Sequence, residues 1–401
     1  MATQVNKKVV AGIVVGIVGL CLLVVLAGVY FAQKSPTKNI NRGDVAFGAG
    51  DYELAATQYS RAVNKEPTNI EYIDKWRDAL VRVIPESDAD YQEAYELYLG
   101  GVLESKSRQR PGMGEFQIAY VNEFIRRAQS AGARNAASMD AIVEQVEGRA
   151  RGLNEDDPFR TRVLRWRGFA LTGKAQVTNL TDEEYATAIG DLSAAYELDT
   201  DVRALVDLYE LHDAVRRRAE ADRQAQRAEE ASSQAEDVLA RLQDEHASHP
   251  LVIATSLFVE RTAASEMPRE MAIDAMRDAG VEAASAFAAI DVKEYSVDVL
   301  LQAAILIARL SPNEANADID SVLERKLEEF PASSRLMMQR AQLALSANEA
   351  DRAFDLFQEV IDTPNQPISL DGLRLLGNRR LALYYQGRLR IKESEVAGRA
   401  D

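Results

Sequence analysis

The apolar side chains divide the chain into two parts with different patterns. Residues 9–31 read VVAGIVVGIVGLCLLVVLAGVYF, with no charged or strongly polar interruption. As a helix rising ~1.5 Å per residue this run spans ~34 Å, enough for the ~30 Å hydrocarbon core of a bilayer. Lys7 and Lys8 precede it, and Tyr30 and Phe31 close it where aromatic rings favour the membrane interface. A transmembrane helix over 9–31 is therefore predicted, after a short basic tail (1–8) and before a linker (32–37). A cleaved signal peptide is the rival. Its apolar region is ordinarily about 7–15 residues, shorter than this run, although Val25-Leu26-Ala27 has the form of a cleavage site. Gly12, Gly16 and Gly19 bring small residues towards one face and are the candidate dimerisation surface of the span. Beyond the linker the pattern changes. Apolar residues recur at three and four, as in VDVLLQAAILIARL from Val297, without convincing period-2 alternation. The body, 38–401, is predicted to be all-α.

Residues 43–69 read GDVAFGAGDYELAATQYSRAVNKEPTN. This stretch resembles a tetratricopeptide repeat (TPR), a helix–turn–helix unit of about 34 residues. Gly43 takes the small position where the two helices touch, and Gly50-Asp51-Tyr52 the turn. Ala55, Tyr59 and Ala62 share one face of the second helix, and Pro67 stops it. The early aromatic of the first helix is missing, with Asn39 in its slot. Weaker copies follow at Tyr91/Ala94/Tyr98, at Gly168/Leu171 with Ala188/Leu192/Ala195, and at Ala341/Ala353/Phe357. The clearest repeats are 38–69, 161–200 and 334–361. The resemblance implies an α-solenoid, because one helix pair cannot bury its apolar face and stacked pairs share a continuous core. A non-repeating helical bundle is the alternative.

The segment 201–249 departs from this scheme. Within RRRAEADRQAQRAEEASSQAED, from Arg216, alanine is the only apolar residue. It is expected to be a long polar helical insertion, either one long helix or a lengthened pair with a polar, protruding tip. Alanines 221, 225, 228 and 235 keep a spacing that allows a thin helical seam.

Charge narrows the function. The chain carries 47 basic and 63 acidic groups, net −16. Residues 1–44 hold five of the basic groups and one acid, Asp44, so the rest has 42 against 62, or −20. Such a body is a poor general binder of nucleic acid, which needs a basic footprint. It favours basic protein partners. Cys21, the one cysteine, rules out an internal disulfide and a cysteine-based zinc site.

No motif for catalysis or cofactors is evident: there is no P-loop, GxGxxG, HExxH or GxSxG. No cofactor, no metal site and no catalytic residue is expected, and the chain is read as a non-enzyme. His246 and His249 have ligand-type spacing, but Pro250 follows and no third ligand is in reach. Trp76 and Trp166 lie on first helices of their units, the helices that face inward in the resembled family. With the neighbouring Arg77 and Arg165 they are the candidate partner-binding residues, being types enriched in binding hot spots. Some members of that family hold a partner's terminal carboxylate with a lysine–asparagine clamp. Here the matching slots hold Ile40 and Asp44, and Met338 and Gln342, so that clamp is not expected.

The arrangement as a whole resembles bacterial inner-membrane TPR proteins that assist translocation, envelope assembly or complex biogenesis. It implies a single-pass, membrane-anchored scaffold binding protein partners, with a cytoplasmic N-terminus, an extracytoplasmic body and the option of homo-oligomers. A permanent structural subunit of a larger membrane complex is the alternative, and an enzyme regulator a more distant one.

Overall fold

The structure is a computed structural model and describes residues 35–85, 87–104, 114–130 and 135–397. The predicted span 9–31, with Gly12, Gly16 and Gly19, lies outside the described residues. Among those described, no helix is long and apolar enough to cross a membrane.

Helices follow one another in antiparallel pairs. They are α1 (Pro36–Gly48) with α2 (Tyr52–Lys65), and α3 (Ile70–Leu80) with α4 (Asp88–Glu96), which runs into a π-helical stretch, Leu97–Glu104. Then come α5 (Gly114–Ser130) with α6 (Ala136–Ala150), α7 (Pro158–Ala175) with α8 (Asp182–Asp199), and α9 (Val202–Ala221) with α10 (Ala225–His246). The series ends with α11 (Pro250–Ala264) and α12 (Arg269–Ala288), α13 (Val297–Leu310) and α14 (Asn316–Glu329), α15 (Ser334–Ser346) and α16 (Ala350–Asp362), and a last helix, α17 (Leu370–Ala397). Helix starts are set locally: Asp51, Asn69, Asn135, Thr181 and Ser296 each accept a backbone N–H of the first turn, and Pro158 and Pro250 open their helices. The first described helix begins at Pro36, two residues before the predicted start of the body.

Two features recur among the pairs. The first is the turn. In three pairs the residue two places before the second helix is left-handed: Gly50 (φ 80°), Arg223 (φ 58°) and Asn348 (φ 62°). The next N–H, on Asp51, Gln224 and Glu349, bonds a carbonyl five residues back at 3.0, 2.8 and 2.9 Å, as in a Schellman ending. The second is the helix–helix contact. A Cβ on Gly43 would overlap the Tyr59 ring, and one on Gly168 would stand 2.7 Å from Leu192 Cγ. Only glycine lets those helices approach.

The same turn corrects the reading of 201–249. This segment is the lengthened pair of the two options, α9 and α10, built on the regular turn, and it is not a solvated insertion. Helix α9 buries Leu205, Leu208, Leu211 and Val215 among others, and α10 lays Ala228, Ala231, Ala235 and Leu242 against it. Its tip does not protrude. Asn179 bonds Asp222 at 2.7 Å, and Arg218 and Arg227 donate to the Gln176 and Leu180 carbonyls of the preceding turn. In α4 the buried positions are Tyr91 and Tyr95; Ala94 and Tyr98 of the expected repeat are only half-buried.

Successive odd helices from α5 to α17 pack side by side, so they line the inner face of the superhelix. The stack then closes on itself. Helix α17 and the segment before it return to α4 and α5. Ile368 N–H bonds the Val83 carbonyl at 3.2 Å, and Asn365 Nδ2 donates to the Pro85 carbonyl at 3.2 Å. Tyr91 donates its hydroxyl to the Pro367 carbonyl and accepts the Ser369 N–H. Ile368 and Leu370 complete the core that contains Trp76 and Tyr95.

Candidate functional site on the inner face

The inner face is dressed with charge. Where the two ends meet, Arg126 of α5 lies 3.4 Å from Asp298 of α13 and 3.3 Å from Asp371 of α17. Arg335 of α15 joins at 2.5 Å from Asp298 and Arg374 at 3.2 Å from Asp371. Burial pushes the Asp298 carboxyl up, but Arg335 and Arg126 outweigh it and hold it below its usual range. These groups are partly solvated, so the network orients the closed stack more than it stabilises it.

The four candidate residues sit on α3 and α7. Trp76 is only 3% exposed, and its ring abuts Gly101, where a Cβ would stand 3.1 Å from Cη2. It is a core residue with no surface for a partner, a correction forced by packing. Arg77 pairs with Asp74 and Asp78 and covers the Phe116 ring at 5.2 Å. Arg165 is buried, 2.8 Å from Asp201 and 3.5 Å from Asp207. It lies 4.3 Å from the Trp166 ring centroid, so these two do form one unit. Trp166 is half-buried and donates Nε1–H to Asn122 at 2.6 Å. Arg165 is thus committed to partners within the chain and positions Asp207 of α9.

Asp207 leads to a feature outside the sequence motifs. Helix α9 carries Asp207, Glu210 and Asp213 at intervals of three, and like charges so spaced share a face. Two have cations: Asp207, 1% exposed, accepts from Arg203 Nε at 3.0 Å. Asp213 pairs with Arg216 at 2.7 Å and Arg217 at 2.8 Å. Glu210 has no hydrogen bond or ion pair among the described residues. It opens into an inward cavity of ≈ 550 Å³ between α7, α9, α11 and α13. Tyr209, Phe258 and Leu306 supply its apolar wall, and Glu210, Asp213 and Arg217 its polar floor. Burial, then the charge on Asp207, push the Glu210 carboxyl up to about 7, against the opposing pull of Arg203 and Arg217. The spacing of the three acids was the available signal. Which of them lacks a cation is decided by α7 and α9 together.

The histidines are used structurally. His246 Nε2 meets the Tyr196 hydroxyl at 2.7 Å, and His249 Nδ1 accepts the Leu251 N–H at the start of α11. His212 Nδ1 meets the Tyr185 hydroxyl at 2.6 Å. Burial holds His212 and His249 down at about 4, helped in His249 by His246. Among the described residues no three metal-binding side chains are grouped to hold an ion. Three of the four clamp slots are spent on the fold: Ile40 and Met338 are buried, and Asp44 accepts from Tyr59 at 2.7 Å and pairs with Lys75 at 2.8 Å, while Gln342 is exposed.

These groups set opposite pH responses. Glu210, raised when folded, lowers stability as pH rises from about 4.5 through about 7. His212 and His249, depressed when folded, lower stability as pH falls from about 6.5 through about 4. In the wild type the two responses oppose each other between these limits. Glu210→Gln removes the first, so the variant is expected to gain stability relative to wild type as pH rises, by about 1–3 kcal/mol at pH 8. Urea midpoints at pH 5, 6.5 and 8 check this. A difference that does not change with pH would refute the assignment.

No protein-family model matches the chain, and no curated protein does. Solved structures similar to it include TPR proteins. One is a tetratricopeptide repeat protein from Parabacteroides merdae ATCC 43184, 13% identical, covering 88% of this chain and 99% of that one, TM-score 0.39. Others are yeast Tom70 (12% identical, 92% of each chain, TM-score 0.31) and the TPR domain of P58(IPK) (14% identical, 88% and 98%, TM-score 0.21). At such TM-scores the likeness adds nothing to the helix pairing and turns described above. Those by themselves make the described chain a TPR-like α-solenoid.

Proposed function

We propose that this protein is a membrane-anchored interaction scaffold that holds a segment of a protein partner on the inner face of its solenoid. The single observation that carries the reading is the inward cavity, with Phe258 and Leu306 on its wall and an unpaired Glu210 on its floor. An apolar wall beside a carboxyl that makes no ion pair suits a basic side chain on an extended or helical segment. The apolar run 9–31 supports the anchor, and the short basic tail supports an extracytoplasmic body.

Site-specific photo-crosslinking tests the first part. A crosslinking side chain at Leu306 should capture a partner, whereas one at exposed Glu229 on α10 should not. Equal capture from both positions would remove the inner face from consideration. The apolar residues Tyr384 and Ile391, exposed seven apart on α17, favour a second reading as a permanent subunit of a larger complex. Capture at Tyr384 and not at Leu306 would select it. Sidedness is read by placing a cysteine at exposed Ser248 in a Cys21→Ser background. A membrane-impermeant thiol reagent should label intact cells; labelling only after lysis would reverse the topology.

A further inference from the structure

The first repeat departs from its pattern at Asn39, and the structure shows where that residue goes. Asn39 is 5% exposed and makes no side-chain hydrogen bond to any described residue. It lines a cleft of ≈ 440 Å³ whose other walls are Lys38 and Arg42 of α1 and Arg61, Asn64 and Lys65 of α2. All four cations are exposed, none has an ion pair or hydrogen bond among the described residues, and no acid lines the cleft. Lys38 and Arg42 are four apart on one helix, as are Arg61 and Lys65 on the other. Each is a like-charge pair that disfavours its own helix, and the two pairs face one cleft. A polar cap on the first repeat explains exposed charge. It does not explain four unpaired cations converging on the unbonded amide of Asn39 in a chain of net charge −16.

We infer that this cleft binds a phosphate-bearing anion, presented by the headgroup of an anionic phospholipid. Arginine and lysine would neutralise the phosphate, and the Asn39 amide would donate to one of its oxygens. The lipid source follows from position and rests on the anchor proposed above. Lys38 is seven residues beyond Phe31, a reach of at most ~25 Å when extended. Juxtamembrane basic clusters are drawn to anionic leaflets.

The test uses the full chain in micelles of a neutral detergent. Native mass spectrometry counts bound lipid when phosphatidylglycerol or phosphatidylcholine is added. The wild type should retain phosphatidylglycerol preferentially. Each of Lys38→Ala, Arg42→Ala, Arg61→Ala and Lys65→Ala should weaken retention about fivefold, and Asn39→Leu, which restores an apolar side chain to the slot, should weaken it further. Arg309→Ala, at an exposed cation elsewhere, should change nothing. Thermal midpoints in phosphatidylcholine micelles should match the wild type in the cation variants. Arg61→Lys, which keeps charge and fold, should retain the lipid. Undiminished preference in the quadruple alanine variant would overturn the site. If inorganic phosphate at millimolar concentration binds as tightly and displaces the lipid, the anion chemistry stands and the lipid source falls. Alkaline carbonate extraction of cell membranes is the separate check on the anchor. Release of the chain would refute the anchor and with it the lipid source, while the phosphate titration would still report on the cleft.

Discussion

Gly372→Ala is expected to destabilise the closed solenoid by about 2 kcal/mol, although alanine is the better helix former. Gly372 is in the first turn of α17, and a Cβ there would overlap the Tyr91 hydroxyl and stand 3.0 Å from the Pro367 carbonyl. Tyr91 cannot step aside. It is 1% exposed, and its hydroxyl is bonded on both sides, to Pro367 and Ser369. Overpacking costs ~1–3 kcal/mol, and parting the seam loses hydrogen bonds of ~1 kcal/mol each. The gain in helix propensity is at most ~1 kcal/mol. Gly377 and Gly387 lie on the same helix, and a Cβ added at either would meet nothing within 4 Å. There the same substitution should instead be neutral or stabilising. Urea denaturation of the three variants decides the matter. Three equal midpoints would mean that the ends do not close as described. An opened seam should also expose Ile368 and Leu370, which increased hydrogen exchange over 365–374 would register.

Asp320→Ala is expected to cost more, about 2–4 kcal/mol. Asp320 of α14 accepts from Arg340 of α15 at 2.9 and 3.2 Å and is bonded by Arg352 of α16. Both members of the Asp320–Arg340 pair are less than a tenth exposed. Burial alone would ease the Arg340 proton away, yet Asp320 and Glu324 hold its pKa above the usual value. Removing one partner of such a pair leaves a desolvated charge, at ~3–5 kcal/mol. Glu324, 2.7 Å from Arg340 and mostly solvated, offsets part of that. Replacing both members, as in Asp320→Leu with Arg340→Met, should return stability to within ~1 kcal/mol of wild type, because buried ion pairs add little over apolar packing. A double variant as unstable as Asp320→Ala would show that the pair itself, and not the stranded charge, holds α14 to α15.

The two sites differ in how far they are legible in the chain. Asp320 and Arg340 are 20 residues apart on adjoining pairs, within reach of a repeat pattern. Gly372 and Tyr91 are 281 apart, and nothing local marks them as neighbours. The candidate surface residues divide the same way. Trp166 and Arg165 follow each other in sequence and do act together. The inward-facing helix of Trp76 predicts an exposed ring, but the π-helical stretch Leu97–Glu104 brings Gly101 against it and closes the surface. Asn39 is legible as a departure from the repeat, though not as one wall of a basic cleft.

What the residues determine by themselves is the paired unit: helix starts at capping side chains, a left-handed turn before the second helix in three of the pairs, and glycine at the contact between partners in two. All of these interactions lie within about one repeat and so leave a periodic trace in the chain. The tertiary structure alone decided the closure of the ends, the cavity at Glu210 and the burial of Trp76. The first two depend on the small rotation between successive pairs, summed along the stack, and the third on where the π-helical stretch sets Gly101. That sum sets which inner residues meet, and no local pattern of residues encodes it.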